Sequence, residues 1–260
     1  MKYDMKDTSI ENLVKGKLKE IEEKENVRIL HAVESGSRAW GVASPDSDYD
    51  VRFIYARSLG NYLKLENKKD FIDWELNEVL DINGWDLAKT LKHFHKSNAT
   101  LFEWANSPVV YYTTKEWAQI KNKVEPYFSC KASMYHYYGT ANKNYVEHLT
   151  GDMVKYKKYF YVLRPLLACK WIEEKSSPPP VLFHELADKV LEDNMKESVR
   201  ELLKKKIQMN EAEKAKPIAE LNEYIVRKLE YYKEKIATME DDRKADWIGL
   251  DEVFIKTVRN

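Results

Sequence analysis

The chain has 260 residues, enough for one large or two small domains. Charged residues make up 33% and hydrophobic residues 43%, a globular balance, and the absence of any run of about 18 apolar residues excludes a membrane-spanning helix. Lys and Arg together number 43 and so do Asp and Glu, so no global charge draws the chain to nucleic acid, and any such contact needs a local basic patch.

In chain order, residues 9–25 predict an amphipathic helix with Ile10, Leu13, Leu18 and Ile21 near one face. VRILHAV (27–33) predicts a strand, and His31 falls in it. Gly36-Ser37 turns the chain into a short helix, SRAWGVA, followed by the loop SPDSD (44–48). DVRFIYA (50–56) predicts a second strand, with Val51, Phe53 and Tyr55 alternating against Asp50, Arg52 and Ile54. A third strand falls near EVLDI (78–82), closed by a turn at Asn83-Gly84, and Asp86 is a good N-cap for the helix DLAKTLKHFHKS. Beyond residue 97 the periodicity is almost wholly helical. Thr113-x-x-Glu116 has the capping-box pattern, Ser97-Asn98 reads as a helix end, and SSPPP (176–180) is the one obvious break between helices.

The stretch ESGSRAWGVASPDSDYD (34–50) carries the chemistry. Side chains at i and i+2 of a strand share a face, so Asp48 and Asp50 at the entry to the second strand are two carboxylates that repel each other. A divalent cation relieves that repulsion, and Mg²⁺ favours one or two carboxylates together with substrate phosphates. A third carboxylate on a neighbouring strand would complete a two-metal site. Asp81, between Leu80 and Ile82, has the apolar-acid-apolar context for that role. Asp86 competes, but capping a helix is its simpler job; Glu75 and Glu78 are weaker options, and Asp46 serves the turn after Pro45. Gly36 and Ser37 lie between strand and helix, where backbone N–H groups bind anions, and Arg38 can add a charge-assisted contact to a phosphate. Taken singly, Asp-x-Asp is common in loops and Gly-Ser carries little information. The order is what points to one mechanism: strand, Gly-Ser, short helix, Asp-x-Asp, strand, then a lone acid in a third apolar strand.

Gly36-Ser37, ten residues, then Asp48-x-Asp50 and a third acid resembles the signature of the DNA polymerase beta-like nucleotidyltransferase superfamily. More closely, SDYDVRFIY (47–55), INGWDLAKTL (82–91), KSNATLFEWANSPVVY (96–111) and KKYFYVLRPLLACKWI (157–172) resemble the RNA-repair-pathway (RlaP-type) predicted nucleotidyltransferases. The resemblance covers most of residues 30–185. It implies a mixed sheet with flanking helices, Mg²⁺ or Mn²⁺, and a nucleoside triphosphate, ATP by preference. It assigns metal ligands to Asp48, Asp50 and Asp81, and the phosphate-binding turn to Gly36 and Ser37.

Residues 143–165 interleave lysines with tyrosines, and Lys158 and Arg164 inside the resembling block are the cations expected to meet the nucleotide. As plain helix, the same block is solvated lysines on a tyrosine-rich core edge, with Pro165 kinking or restarting it. His93-x-His95 has the wrong spacing for one helical face, so it is not read as a metal site. Trp85, Trp104 and Trp117 are read as core anchors. Cys130 and Cys169 are too few for a disulfide framework or a zinc module, and the N-terminus is polar and unlike a secretory signal, which fits a cytoplasmic protein.

The expected architecture is α+β: a small mixed-sheet nucleotidyltransferase domain over residues 1–112, then a mainly helical domain over 113–260 with a possible break near 176–180. The expected activity is metal-dependent transfer of a nucleoside monophosphate from an NTP to an acceptor, preferably an RNA end such as tRNA or a cleaved RNA, with release of pyrophosphate. AMP transfer to a protein or small molecule is the second reading, and a non-catalytic nucleotide binder the third.

Overall fold

The computed structural model describes residues 8–44, 47–66, 68–76, 79–208 and 213–259. Two compact units divide it: Met1–Ala39 with Asp48–Phe128 and Arg243–Asn260, and Trp40–Ser47 with Ser129–Asp242. The protein is mixed α+β, as its sequence predicts.

The first unit is built on five strands: β1 (Arg28–Glu34), β2 (Tyr49–Ala56), β3 (Phe71–Leu76), β4 (Leu80–Asp86) and β5 (Val110–Thr113). Their order is β3-β4-β2-β1-β5. Only β2 and β4 run parallel, and they pair Asp50 with Asp81 and Tyr55 with Asp86. Strand alternation gives each face its own core. Val51, Phe53, Tyr55, Leu80 and Ile82 bury against Val14, Leu18 and Ile21 of α1 (Thr8–Glu25). Leu30, Val33, Ile54 and Ala56 bury against α4 (Leu87–His95), α5 (Ala99–Ala105), α6 (Lys115–Val124) and α12 (Ile248–Arg259). Two one-turn helices, α2 (Gly36–Ala39) and α3 (Leu59–Tyr62), lie between the strands in sequence.

Two local expectations change and one holds. Asn83-Gly84 does not turn; it lies inside β4. Glycine is needed there because a Cβ would come within 2.2 Å of the Phe53 ring on the neighbouring strand. The cap of α6 is Thr114, whose hydroxyl accepts from the Trp117 N–H at 3.1 Å, while Thr113 belongs to β5 and faces His31 Nδ1 at 3.2 Å. Ser97-Asn98 ends α4 as expected, with Ser97 left-handed at φ 54° and the Ser97 and Asn98 N–H groups donating to the Phe94 and His93 carbonyls at 2.8 and 3.0 Å, and Asn98 in addition caps α5, accepting from the Leu101 N–H at 3.3 Å. The tryptophans act as expected: Trp104 and Trp117 are buried and Trp85 packs against them, with His31 stacked on Trp117 at 4.6 Å between ring centres.

The second unit is helical: α7 (Cys130–His148), α8 (Lys157–Lys175), α9 (Phe183–Val190), α10 (Asp193–Gln208) and α11 (Ala219–Thr238). α8 runs on through Pro165 instead of stopping there. The proline removes one intrahelical hydrogen bond, but eleven side chains of α8 are buried, and that burial outweighs one bond. The Trp40–Ser47 segment belongs to this unit: the Phe183 N–H donates to the Trp40 carbonyl at 2.9 Å, and the Lys206 ammonium donates to the Val42 carbonyl. The boundary expected at 112/113 therefore differs from the division seen in the structure. α6 and the sequence-distant α12 both bury their apolar faces on the sheet, where Trp117, Ile120, Val124, Leu250 and Val253 share one core.

Candidate active site

One end of the sheet collects the acidic residues. β1 ends there, and the parallel strands β2 and β4 both begin there. Because Asp50 and Asp81 are register partners on parallel neighbours, their side chains leave the same face side by side. That is the face otherwise filled by Ile54 and Trp85, but at this end Asp50 and Asp81 keep 33% and 31% of their side-chain surface exposed. Asp48 stands one residue ahead of β2 and is exposed. Its carbonyl accepts from Arg38 Nε at 3.1 Å, and the Arg38 guanidinium lies 3.7 Å over the Tyr49 ring.

The Gly-Ser turn is tied to this cluster by contact. The Ser35 N–H donates to the Asp50 carbonyl at 2.8 Å. Gly36 has φ +60°, and a Cβ on it would come within 2.2 Å of Asp50 Oδ2. Glycine suits the position twice over, because L side chains rarely adopt this φ and any Cβ would push the Asp50 carboxylate aside. Ser37 follows, half-buried, within the single turn of α2.

Three residues in contact with these acids were missed by the sequence reading. Glu34, the last residue of β1, is 1% exposed; its Oε1 accepts from the Asp50 N–H at 2.7 Å and its Oε2 from the Tyr111 hydroxyl at 2.5 Å. Burial pushes its carboxyl up to about 7, against the pull of those two hydrogen bonds. Arg52 lies between the other two acids, its Nη2 donating to Asp50 Oδ1 at 3.2 Å and to Asp81 Oδ2 at 2.6 Å. For Asp50, burial raises the carboxyl above its ordinary value; Arg52 opposes the rise, and Asp81 and Asp48 add to it. The only sequence signal for Arg52 was its period-two spacing from Asp50. Glu34 and Tyr111 had none.

The remaining expected residues are dispersed. Asp86, paired with Tyr55 some five residues along β4 from Asp81, caps α4: its Oδ1 accepts from the Ala88 N–H at 2.8 Å and its Oδ2 from the Tyr62 hydroxyl at 3.0 Å. Asp46, Glu78 and the Glu75 side chain lie outside the described residues. In the second unit, Lys158 on α8 sits 5.1 Å over the Tyr161 ring. Arg164 is 1% exposed, with Nε donating to the Val181 carbonyl at 3.0 Å and its guanidinium 4.7 Å over Trp40. It holds the interior of that unit, which is not the seat of an exposed phosphate contact.

Among the described residues no three His, Cys, Asp or Glu side chains converge ready to hold a metal ion. Between Asp50 and Asp81 sits the Arg52 guanidinium. The donor chemistry nonetheless fits a hard cation: carboxylate oxygens suit Mg²⁺, and the seat between two of them already takes a positive group.

A mixed sheet that sets paired carboxylates beside a Gly-Ser turn is the arrangement that the resemblance to nucleotidyltransferases implies. The chain matches the RNA repair pathway DNA polymerase beta family, RlaP, over residues 10–256 and belongs to that family. It is 41% identical over 245 residues to the uncharacterized protein YcgL of Bacillus subtilis (strain 168), covering 93% of this chain and 94% of that protein. Among solved structures, a nucleotidyltransferase-like protein from Exiguobacterium sibiricum 255-15 aligns over 96% of this chain and 80% of its own, with 11% identity and a TM-score of 0.31.

Proposed function

We propose that this protein transfers a nucleoside monophosphate from an NTP, ATP by preference, to an RNA end such as tRNA or a cleaved RNA, and releases pyrophosphate. The observation that carries the reading is the register pair Asp50–Asp81, with Gly36 packed against the Asp50 carboxylate and a cation between the two acids. In the reaction the acceptor hydroxyl oxygen attacks the α-phosphorus. The bond from that phosphorus to the bridging oxygen of the β-phosphate breaks, and pyrophosphate leaves with the electron pair. The hydroxyl proton passes to a carboxylate, for which Asp81 is our choice. Asp48, Asp50 and Asp81 would hold Mg²⁺ or Mn²⁺, which when bound neutralises the triphosphate and acidifies the attacking hydroxyl. Gly36 and Ser37 would take the terminal phosphates through backbone N–H groups and the serine hydroxyl, with Arg38 beside them. Lys158 is the remaining candidate for a nucleotide contact.

The family's RNA-repair designation supports an RNA acceptor. The formal net charge of zero favours a second reading, AMP transfer to a protein. A cytoplasmic location is supported by the free thiols of Cys130 and Cys169, and no helix among the described residues is long and apolar enough to cross a membrane.

The test is label transfer from each α-³²P NTP with Mg²⁺ or Mn²⁺, with a pool of RNA and without it. Label on RNA that disappears in D48N/D50N is the expected result. Label on protein alone establishes the second reading, and undiminished transfer by D48N/D50N removes the site assignment.

A further inference from the structure

Arg52 stands two residues beyond Asp50 on β2, so its side chain leaves the same face as the two acids. A surface arginine would run out to water, yet only 18% of this side chain is exposed. Its contacts are anions and carbonyls. Nη2 bridges Asp50 Oδ1 and Asp81 Oδ2 at 3.2 and 2.6 Å, while Nη1 donates to the carbonyls of Val51 and Asp81 at 3.0 and 3.1 Å. The rigid fork of a guanidinium suits such a four-acceptor seat, which an ammonium cannot satisfy in the same way. With Arg52 in place, two neighbouring carboxylates carry one net negative charge instead of two.

We infer that Arg52 is the resting occupant of the cation seat between Asp50 and Asp81, and that a divalent ion enters that seat only by displacing it. The inference rests on the metal-dependent reading above and adds a device to it. Metal binding becomes an exchange of one cation for another. The ion must break two charge-assisted hydrogen bonds, so its affinity is lowered in the absence of nucleotide, while the metal-free fold keeps its carboxylates compensated. The displaced guanidinium is left beside the seat as a positive group for the incoming triphosphate.

The experiment measures Mn²⁺ binding to the full chain without nucleotide, by the electron paramagnetic resonance of free Mn²⁺, for wild type, R52M, R52K and R52M/D50N. R52M is expected to bind about a hundredfold more tightly than wild type, the scale of two charge-assisted bonds no longer broken. R52M/D50N is expected to lose that gain, and R52K to fall between. In EDTA, R52M melts below wild type and Mn²⁺ restores it. Affinity in a folded R52M equal to or weaker than wild type, yet above that of R52M/D50N, overturns the inference and leaves the metal-dependent reading standing. Mn²⁺ bound by none of the chains, or bound equally well by R52M/D50N and R52M, overturns both. Should R52M fold only with Mn²⁺, R52K carries the comparison, and an affinity equal to wild type overturns the inference.

Discussion

Replacing Gly36 with alanine separates two costs that the structure superimposes at one residue. The first is backbone: at φ +60° an L-residue pays about 1–2 kcal/mol that glycine does not. The second is contact, because a Cβ would fall 2.2 Å from Asp50 Oδ2, so the carboxylate must swing aside. That movement costs roughly 1 kcal/mol in side-chain torsion and about 1.5–3 kcal/mol if the bond to Arg52 is lost with it. G36A is therefore expected to destabilise by about 3.5–6 kcal/mol, roughly a 10–20 °C fall in melting temperature for a unit of this size. The test is a double-mutant cycle with D50A, read by urea unfolding through the fluorescence of the buried Trp104 and Trp117. Truncating Asp50 leaves its Cβ at an ordinary 3.6 Å from the new methyl, so only the backbone cost should remain. A coupling of about 2.5–4 kcal/mol is expected between the two substitutions. If G36A costs as much in the D50A background as in wild type, the carboxylate contact is not what demands glycine, and the link between turn and acid fails.

Asp81 and Asp86 should separate function from stability. D86A removes the cap on Ala88 and strips the Tyr62 hydroxyl of its acceptor, so we expect about 2 kcal/mol of destabilisation, measured by urea unfolding, with nucleotidyl transfer retained at temperatures where the variant is folded. D81N should do the reverse: transfer lost, with destabilisation limited to about 1 kcal/mol because the amide oxygen can still accept from Arg52. Glu192 predicts an acid limit for the second unit. Burial alone would raise its carboxyl, but hydrogen bonds from Lys228, Tyr224 and Lys170 outweigh burial and hold it near 2, below its ordinary 4.5. A depressed carboxyl contributes stability that is complete above about pH 4.5 and is lost as pH falls toward 2, at most about 3 kcal/mol. E192Q should flatten the stability–pH curve in that window, and a curve unchanged by E192Q would refute the assignment.

Much of the site was legible because it is local. Asp50 and the strand that carries it, Gly36 and its turn, and Asp81 between two apolar neighbours are all readable from period and composition. Asp86 was legible both as a cap and as a rival acid, and only the β2–β4 register shows that Asp81 stands beside Asp50 while Asp86 lies at the far end of the strand. Arg52 could be assigned to the face of Asp50, but its insertion between two acids depends on β4 arriving in parallel at that register. Glu34 and Tyr111 meet across β1 and β5, 77 residues apart, a pairing no local pattern announces.

Gly84 and Arg164 show the same limit from the side of packing. Asn83-Gly84 carries every mark of a turn, yet the glycine serves a Phe53 ring on another strand. Arg164 reads as a cation for a phosphate, yet its helix buries it on Trp40. The sequence by itself determined the chemistry on offer: which acids, which turn, and an α+β chain with its strands early and its helices late. Local propensity and side-chain periodicity act over a few residues, and those features need nothing more. Tertiary structure alone decided which helices close the sheet, and which acids meet. Amphipathic helices such as α6, α11 and α12 present similar stripes, and only the burial each finds in the folded chain assigns α6 and α12 to the sheet and α11 to the helical unit.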